Sequence, residues 1–233
     1  MKYILFMFFV IPLSIMAQTR QSKDYLEDIC QELQKKWPNN RTINLVFHGH
    51  SVPSGYFDTP HVRTMHAYPQ QVLQTIKDIY PYAVVNSIIT AIGGENAEQG
   101  AERFQQDVLC HKPDVLFIDY ALNDRSIGLE RSRRAWETMI TEAQKQDIKV
   151  ILFTPTPDLA EDILDDNSPL EQYSKQIRDI SIEYGAGLVD SYKAFRQKKK
   201  EGQEVSEFMS QGNHPNEKGH EVVKELILYY FFE

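Results

Sequence analysis

Three features of the sequence predict one α/β domain built on a parallel sheet. Apolar runs of strand length alternate five times with stretches of helical periodicity. The apolar runs are continuous rather than alternating, as expected of strands buried on both faces. At 233 residues, 42% hydrophobic and 25% charged, the chain suits one generous soluble domain, and no repeat or low-complexity tract suggests a second.

The first residues stand outside this plan. Met1-Lys2 is a short positive start, Tyr3 to Met16 is almost wholly apolar, and Ala17 precedes polar Gln18-Thr19-Arg20. This is the pattern of a secretory signal peptide over residues 1–17, too short for a comfortable membrane span. No cysteine follows it to carry a lipid, so no stable membrane anchor is expected after cleavage. A secreted or periplasmic protein is predicted, with residues 18–40 as an N-terminal helical extension and residues 41–233 as the main domain. A formal charge of −8 argues against a nucleic-acid partner. In an oxidising compartment Cys30 and Cys110 could pair, or remain two separately buried thiols. Neither has neighbours that suggest a nucleophile or a metal site.

Residues 22–36 read as an amphipathic helix, with Ser22 as cap, Tyr25, Ile29, Leu33 and Trp37 four apart, and Pro38 ending it. A first strand over 42–48 runs into a long loop, 49–66, that carries Ser51, Tyr56 and Phe57. A helix over 68–79 follows, with Pro69 in its first turn. A second buried strand, 83–89, leaves through Gly93-Gly94, and residues 96–110 form the next helix. The third strand, 114–120, ends in Ala121-Leu122-Asn123-Asp124. A helix over 128–145 leads to the fourth strand, 149–154, and then an acidic loop with Glu161, Asp162, Asp165 and Asp166. Ser168-Pro169 opens a helix that Gly185 closes. A short fifth strand, 187–190, a basic stretch at Arg196–Lys200 that reads as a solvated helix end, and a last helix over 216–232 complete the chain.

In a parallel sheet the strand exits share one edge, where chemistry collects. Ser51 follows the first strand, Gly93-Gly94 the second and Asn123 the third. Gly212-Asn213-His214-Pro215 precedes the last helix and could bring an imidazole over the same edge. Acyl transfer requires this set of groups. A serine hydroxyl becomes a nucleophile when a histidine takes its proton. The oxyanion of the tetrahedral intermediate needs donors, which a glycine backbone N–H and an asparagine amide can supply.

From residue 43 onward the sequence resembles the SGNH hydrolases, or GDSL-type esterases. The family's Gly-Asp-Ser appears as Gly49-His50-Ser51, and its second-block glycine as Gly94, in a run leading to Gly100 and Arg103. Its Gly-x-Asn-Asp appears as Ala121-Leu122-Asn123-Asp124, and its last-block histidine as His214. The resemblance implies a flavodoxin-like three-layer α/β/α sandwich. It makes Ser51 the nucleophile and His214 the base, with the Ser51 amide, Gly94 and Asn123 as oxyanion hole. Neither cofactor nor metal is implied. His50 stands where the family has aspartate, and Gln211 stands where a carboxylate usually precedes the histidine by three residues. That carboxylate orients the imidazole and stabilises the imidazolium. Gln211 can orient the ring but cannot neutralise it, so a Ser51–His214 dyad is expected, or a triad completed by another acid such as Asp190.

The predicted function is a secreted serine ester hydrolase. Tyr56 and Phe57 suit a carbohydrate O-acetyl ester, small or polymeric, because sugars stack on aromatic rings. A lipid or lysophospholipid esterase is the alternative within the class. A metal-dependent hydrolase would draw on His48, His50, His61, His66 and His214, and a decayed site would leave a non-catalytic binding module.

Overall fold

The structure, a computed structural model, describes residues 23–232. The expected signal peptide lies outside those residues. A 3-10 turn, Lys23–Leu26, leads into α1 (Glu27–Leu33). The helix is shorter than its periodicity suggests, and Trp37 does not extend its buried face but stands 84% exposed beyond it. Leu26, Ile29 and Leu33 pack into the same core as the sheet. The Tyr25 hydroxyl donates to the Val150 carbonyl (2.9 Å).

The chain then alternates: β1 (Thr42–Gly49), a one-turn α2 (Ser51–Ser54), α3 (Tyr68–Ile79), β2 (Val84–Ile89), α4 (Ala97–Glu102), α5 (Phe104–Asp107), β3 (Val115–Asp119), α6 (Leu129–Gln144), β4 (Lys149–Phe153), α7 (Pro169–Tyr184), β5 (Gly187–Val189) and α8 (Ser191–Lys200). It closes with β6 (Met209–Gln211), β7 (His214–Pro215) and α9 (Glu217–Leu228). The main sheet has five parallel strands in the order β2-β1-β3-β4-β5. That is the doubly wound order of flavodoxin-like folds.

The continuous apolar runs have a plain cause. Along β3, Val115 and Phe117 enter one core while Leu116 and Ile118 enter the other, so every residue of the strand is buried. One core lies under α1, α3, α8 and α9 and contains the stacked pair Phe47–Phe117 (4.4 Å between ring centres). The other lies under α4, α6 and α7, around Trp136, Met139 and Phe104. Each such side chain contributes roughly 1.5–3 kcal/mol on burial.

Three expectations are corrected. The strand at 84–89 is not buried but is the sheet edge, with one strand neighbour and a half-exposed face; Val84 is 47% exposed. The helix expected over 96–110 breaks at Arg103, where the backbone leaves the helical region (φ −101°, ψ 3°). The long loop after β1 is structured: α2, a bridge between Tyr56 and Val62, and a 3-10 turn at Thr64–His66. Cys30 is half-buried and Cys110 exposed, and both are free thiols. Burial, with Asp28 and Glu27 nearby, pushes the Cys30 thiol up to about 11. Among the described residues no helix is long and apolar enough to cross a membrane.

Two histidines are locked into the interior in neutral form. His48 contacts Thr90 Oγ1 (3.0 Å) and the Gly100 carbonyl (3.2 Å), and His220 Nδ1 accepts from the Tyr68 amide (3.2 Å). Burial, then Arg103 for His48 and His214 for His220, pushes both down to about 3. Between that value and the ordinary 6.5, the unfolded chain binds protons that the folded one refuses. Their contribution to stability is therefore complete above pH 6.5 and lost as pH falls towards 3. Thermal unfolding should show a Tm independent of these groups above pH 7 and falling steeply below pH 6; a Tm constant from pH 7 to 4.5 contradicts this account.

Candidate active site

The end of β1 delivers Ser51. His50 caps α2, its Nδ1 accepting the Val52 N–H (3.2 Å), and Gly55 closes the turn at φ 94°. The Ser51 carbonyl accepts from both the Gly55 and Tyr56 amides (3.1 and 3.0 Å), so the backbone around the serine is tied at each end. Ser51 is 8% exposed and its Oγ lies 2.9 Å from His214 Nε2.

His214 arrives from the far end of the chain on a hairpin. The strands β6 and β7 pair antiparallel with Gln211 opposite His214, joined by Gly212-Asn213. The pairing turns a sequence spacing of three into a direct contact, Gln211 Nε2 to His214 Nδ1 at 2.8 Å. The Gln211 amide is itself pinned by Thr59, whose N–H donates to Oε1 while Nε2 donates to Thr59 Oγ1 (both 3.0 Å). Turning the amide to present its oxygen to His214 would forfeit the bond from the Thr59 N–H and set that donor against the amide NH2.

The acceptor facing the imidazole is the Phe57 carbonyl, 3.1 Å from Nδ1. An Nδ1–H donated to that carbonyl leaves Nε2 bare to accept the Ser51 hydroxyl proton, the arrangement a general base needs. The Gln211 N–H competes for the same nitrogen and favours the other tautomer. Burial holds His214 below its ordinary value of 6.5; the Phe57 carbonyl opposes this and His50 adds to it. Asp190 is not the missing acid. It caps α8 and is bonded to Arg178 Nε (2.8 Å) and Thr154 Oγ1 (3.0 Å).

Beyond the end of β2, Gly94 turns at φ 84°, and a side chain there would point into open space. Asn123 stands beside that turn, its Nδ2 donating to the Glu95 carbonyl (2.9 Å). The turn is held from below by Arg103, bidentate on Glu95 (2.9 and 2.6 Å) and bonded to the Thr90 carbonyl (2.6 Å). The Tyr120 hydroxyl completes the clamp on Glu95 (3.1 Å). Asn123 is positioned by its neighbour: the buried Asp124 carboxylate accepts from the Ala97 amide, Ser132 and the Trp136 indole at 2.6–2.7 Å.

The structure thus gathers Ser51, His214, Gly94 and Asn123 at one edge. It separates the two aromatics. Tyr56 is half-buried at the site, its ring 6.0 Å from that of His214 and against Gly93, where a Cβ would lie 3.0 Å from it. Phe57 is 2% exposed and stacked on His220, a core residue. The histidines weighed for a metal do not converge. His48 faces Thr90, His50 faces Asp119, His61 pairs with Asp58, and His66 with Glu217. Among the described residues no three His, Cys, Asp or Glu side chains are grouped to hold a metal. The sequence reading offers Phe57 for its ring, but the structure uses its carbonyl; that role and Thr59 escape it because backbone and short polar groups carry no motif.

The sequence pattern of the GDSL-like lipase/acylhydrolase family matches residues 47–222. The chain is 31% identical over 174 residues to the uncharacterized lipoprotein YqeF of Bacillus subtilis (strain 168), covering 58% of this chain and 69% of that one. Its fold is similar to that of Axe2, an acetylxylan esterase from Geobacillus stearothermophilus (TM-score 0.71, 20% identity, 82% of this chain and 95% of the other). It is similar too to a two-domain esterase, CEX, active on acetylated mannans (TM-score 0.73, 20% identity, 90% of this chain). The chain spans 53% of that larger protein.

The His214 environment is directly measurable. Its ring protons should titrate below pH 6.5 by NMR. Gln211→Asp, which puts a carboxylate against Nδ1, should raise the midpoint by about one to three units. An unmoved midpoint would show that residue 211 does not set the charge state of the ring.

Proposed function

The chain belongs to the GDSL-like lipase/acylhydrolase family and is a carboxylic ester hydrolase of that type; from this premise we propose that Ser51 and His214 carry the reaction. The 2.9 Å contact between Ser51 Oγ and His214 Nε2 is the observation on which the reading rests. His214 takes the hydroxyl proton as Oγ attacks the ester carbonyl. The oxyanion is met by the amides of Ser51 and Gly94 and by Asn123 Nδ2. The imidazolium, its Nδ1–H bonded to the Phe57 carbonyl, then protonates the departing alkoxide. Water repeats the sequence on the acyl-serine and releases the acid. A carbonyl dipole in place of a carboxylate stabilises the imidazolium less, and so offsets only part of the lowering that burial imposes on His214.

The substrate class we propose is an O-acetylated carbohydrate. Two observations support it. Tyr56 offers a half-exposed ring and hydroxyl beside the imidazole that protonates the leaving alcohol, where a sugar ring would stack. Proteins of similar fold act on acetylated xylan and acetylated mannans. Export fits such a polymer, and the leader-like residues 1–17 support it.

Ser51→Ala should reduce hydrolysis of nitrophenyl acetate to background, and Asn123→Ala should lower kcat about 100- to 1,000-fold. Unchanged turnover in Ser51→Ala would sink the assignment. For the substrate, kcat/KM on acetylated xylo- or manno-oligosaccharides should exceed that on lysophospholipid, and the reverse order would favour a lipid esterase.

A further inference from the structure

Directly behind Ser51 lies a buried pair that the proposed reaction does not use. His50 is fully buried and Asp119, the last residue of β3, is 3% exposed. His50 Nδ1 accepts the Val52 N–H, so the ring proton resides on Nε2. Nε2 points towards Asp119 Oδ1 at 3.4 Å, an electrostatic contact longer than a well-formed hydrogen bond. The other oxygen, Oδ2, accepts the buried Tyr68 hydroxyl (3.1 Å). Burial and the Asp119 charge together push the Tyr68 phenol well above its ordinary range, so it stays a donor.

The position His50 fills is an N-cap, for which aspartate is among the best residues and which the family gives to aspartate. Aspartate here would place a second carboxylate near Asp119 in the buried interior, where like charges are strongly unfavourable. A neutral imidazole avoids the conflict, because Nδ1 accepts as a cap does and Nε2–H turns a donor towards the carboxylate.

We propose that His50 is a positioning residue for the nucleophile: it supplies the cap that orients the Ser51 turn in the one form compatible with Asp119. The assignment rests on Ser51 being the nucleophile. It predicts that residues 50 and 119 are coupled, and that activity needs an acceptor at position 50 and a single carboxylate behind the turn.

The test is a set of variants whose folding is checked by circular dichroism and whose kcat and KM are measured on nitrophenyl acetate, with Ser51→Ala as control. His50→Leu, which removes the acceptor, should lower kcat about 10- to 100-fold at little-changed KM. His50→Asn, a neutral cap, should stay within about fivefold of the parent chain. His50→Asp should lose about 100-fold or more, and adding Asp119→Asn should recover at least about tenfold. Should His50→Asp not fold in either background, the comparison of His50→Leu with His50→Asn decides. A His50→Leu kcat within twofold of the parent, or a double variant no better than His50→Asp, overturns the proposal. Turnover persisting in Ser51→Ala overturns instead the reading on which it rests.

Discussion

The site depends on holding a neutral imidazole 2.9 Å from a serine hydroxyl with no carboxylate behind it. In the proposed mechanism a positive charge must form on that ring, in a place where burial already disfavours it. The surrounding structure meets this with dipoles. The Phe57 carbonyl faces Nδ1, and Phe57 cannot drift, because its ring is stacked on His220 inside the core (5.0 Å between centres). Core packing is thereby converted into the orientation of a functional group at the site.

That arrangement links distant parts of the chain. Residues 57–59 lie in the loop after the first strand, and Gln211 and His214 lie near the last helix, yet they form one hydrogen-bonded unit through Thr59 and the Phe57 carbonyl. Gln211 earns its place structurally, by tying the hairpin to the serine loop, while its N–H competes with the carbonyl for Nδ1. The substitution at this position separates two roles that an aspartate would combine, fixing the geometry and balancing the charge.

The charge that is missing behind His214 is not missing from the site. Asp119 sits beneath the serine turn and Asp124 beside Asn123, each buried and each held by donors from other elements. Glu95 is held in the same way by Arg103 and Tyr120 under the Gly94 turn. Three carboxylates thus stiffen the three strand exits. Rigidity of this kind is what a preorganised oxyanion site needs, since donors that must reorient during reaction lose most of their effect.

Much of this was legible in the chain. Continuous apolar runs determined a parallel sheet buried on both faces, and the order of the strand exits determined that Ser51, Gly94 and Asn123 would share an edge. Ser168-Pro169 and Gly185 bounded α7 as expected, since caps and first-turn prolines act through local backbone geometry. The sequence also marked where the site departs from its family, at His50 and Gln211. Only tertiary structure decided what those departures mean. Whether a glutamine presents its oxygen or its nitrogen depends on Thr59, 152 residues away, and whether a backbone carbonyl orients the base depends on how Phe57 is buried. Likewise a strand's place at the sheet edge is set by which neighbours pair with it, and that makes β2 half-exposed despite its apolar residues. Local sequence specifies elements and offers functional groups, but the partners that set proton position and charge come from long-range packing, which no spacing along the chain encodes.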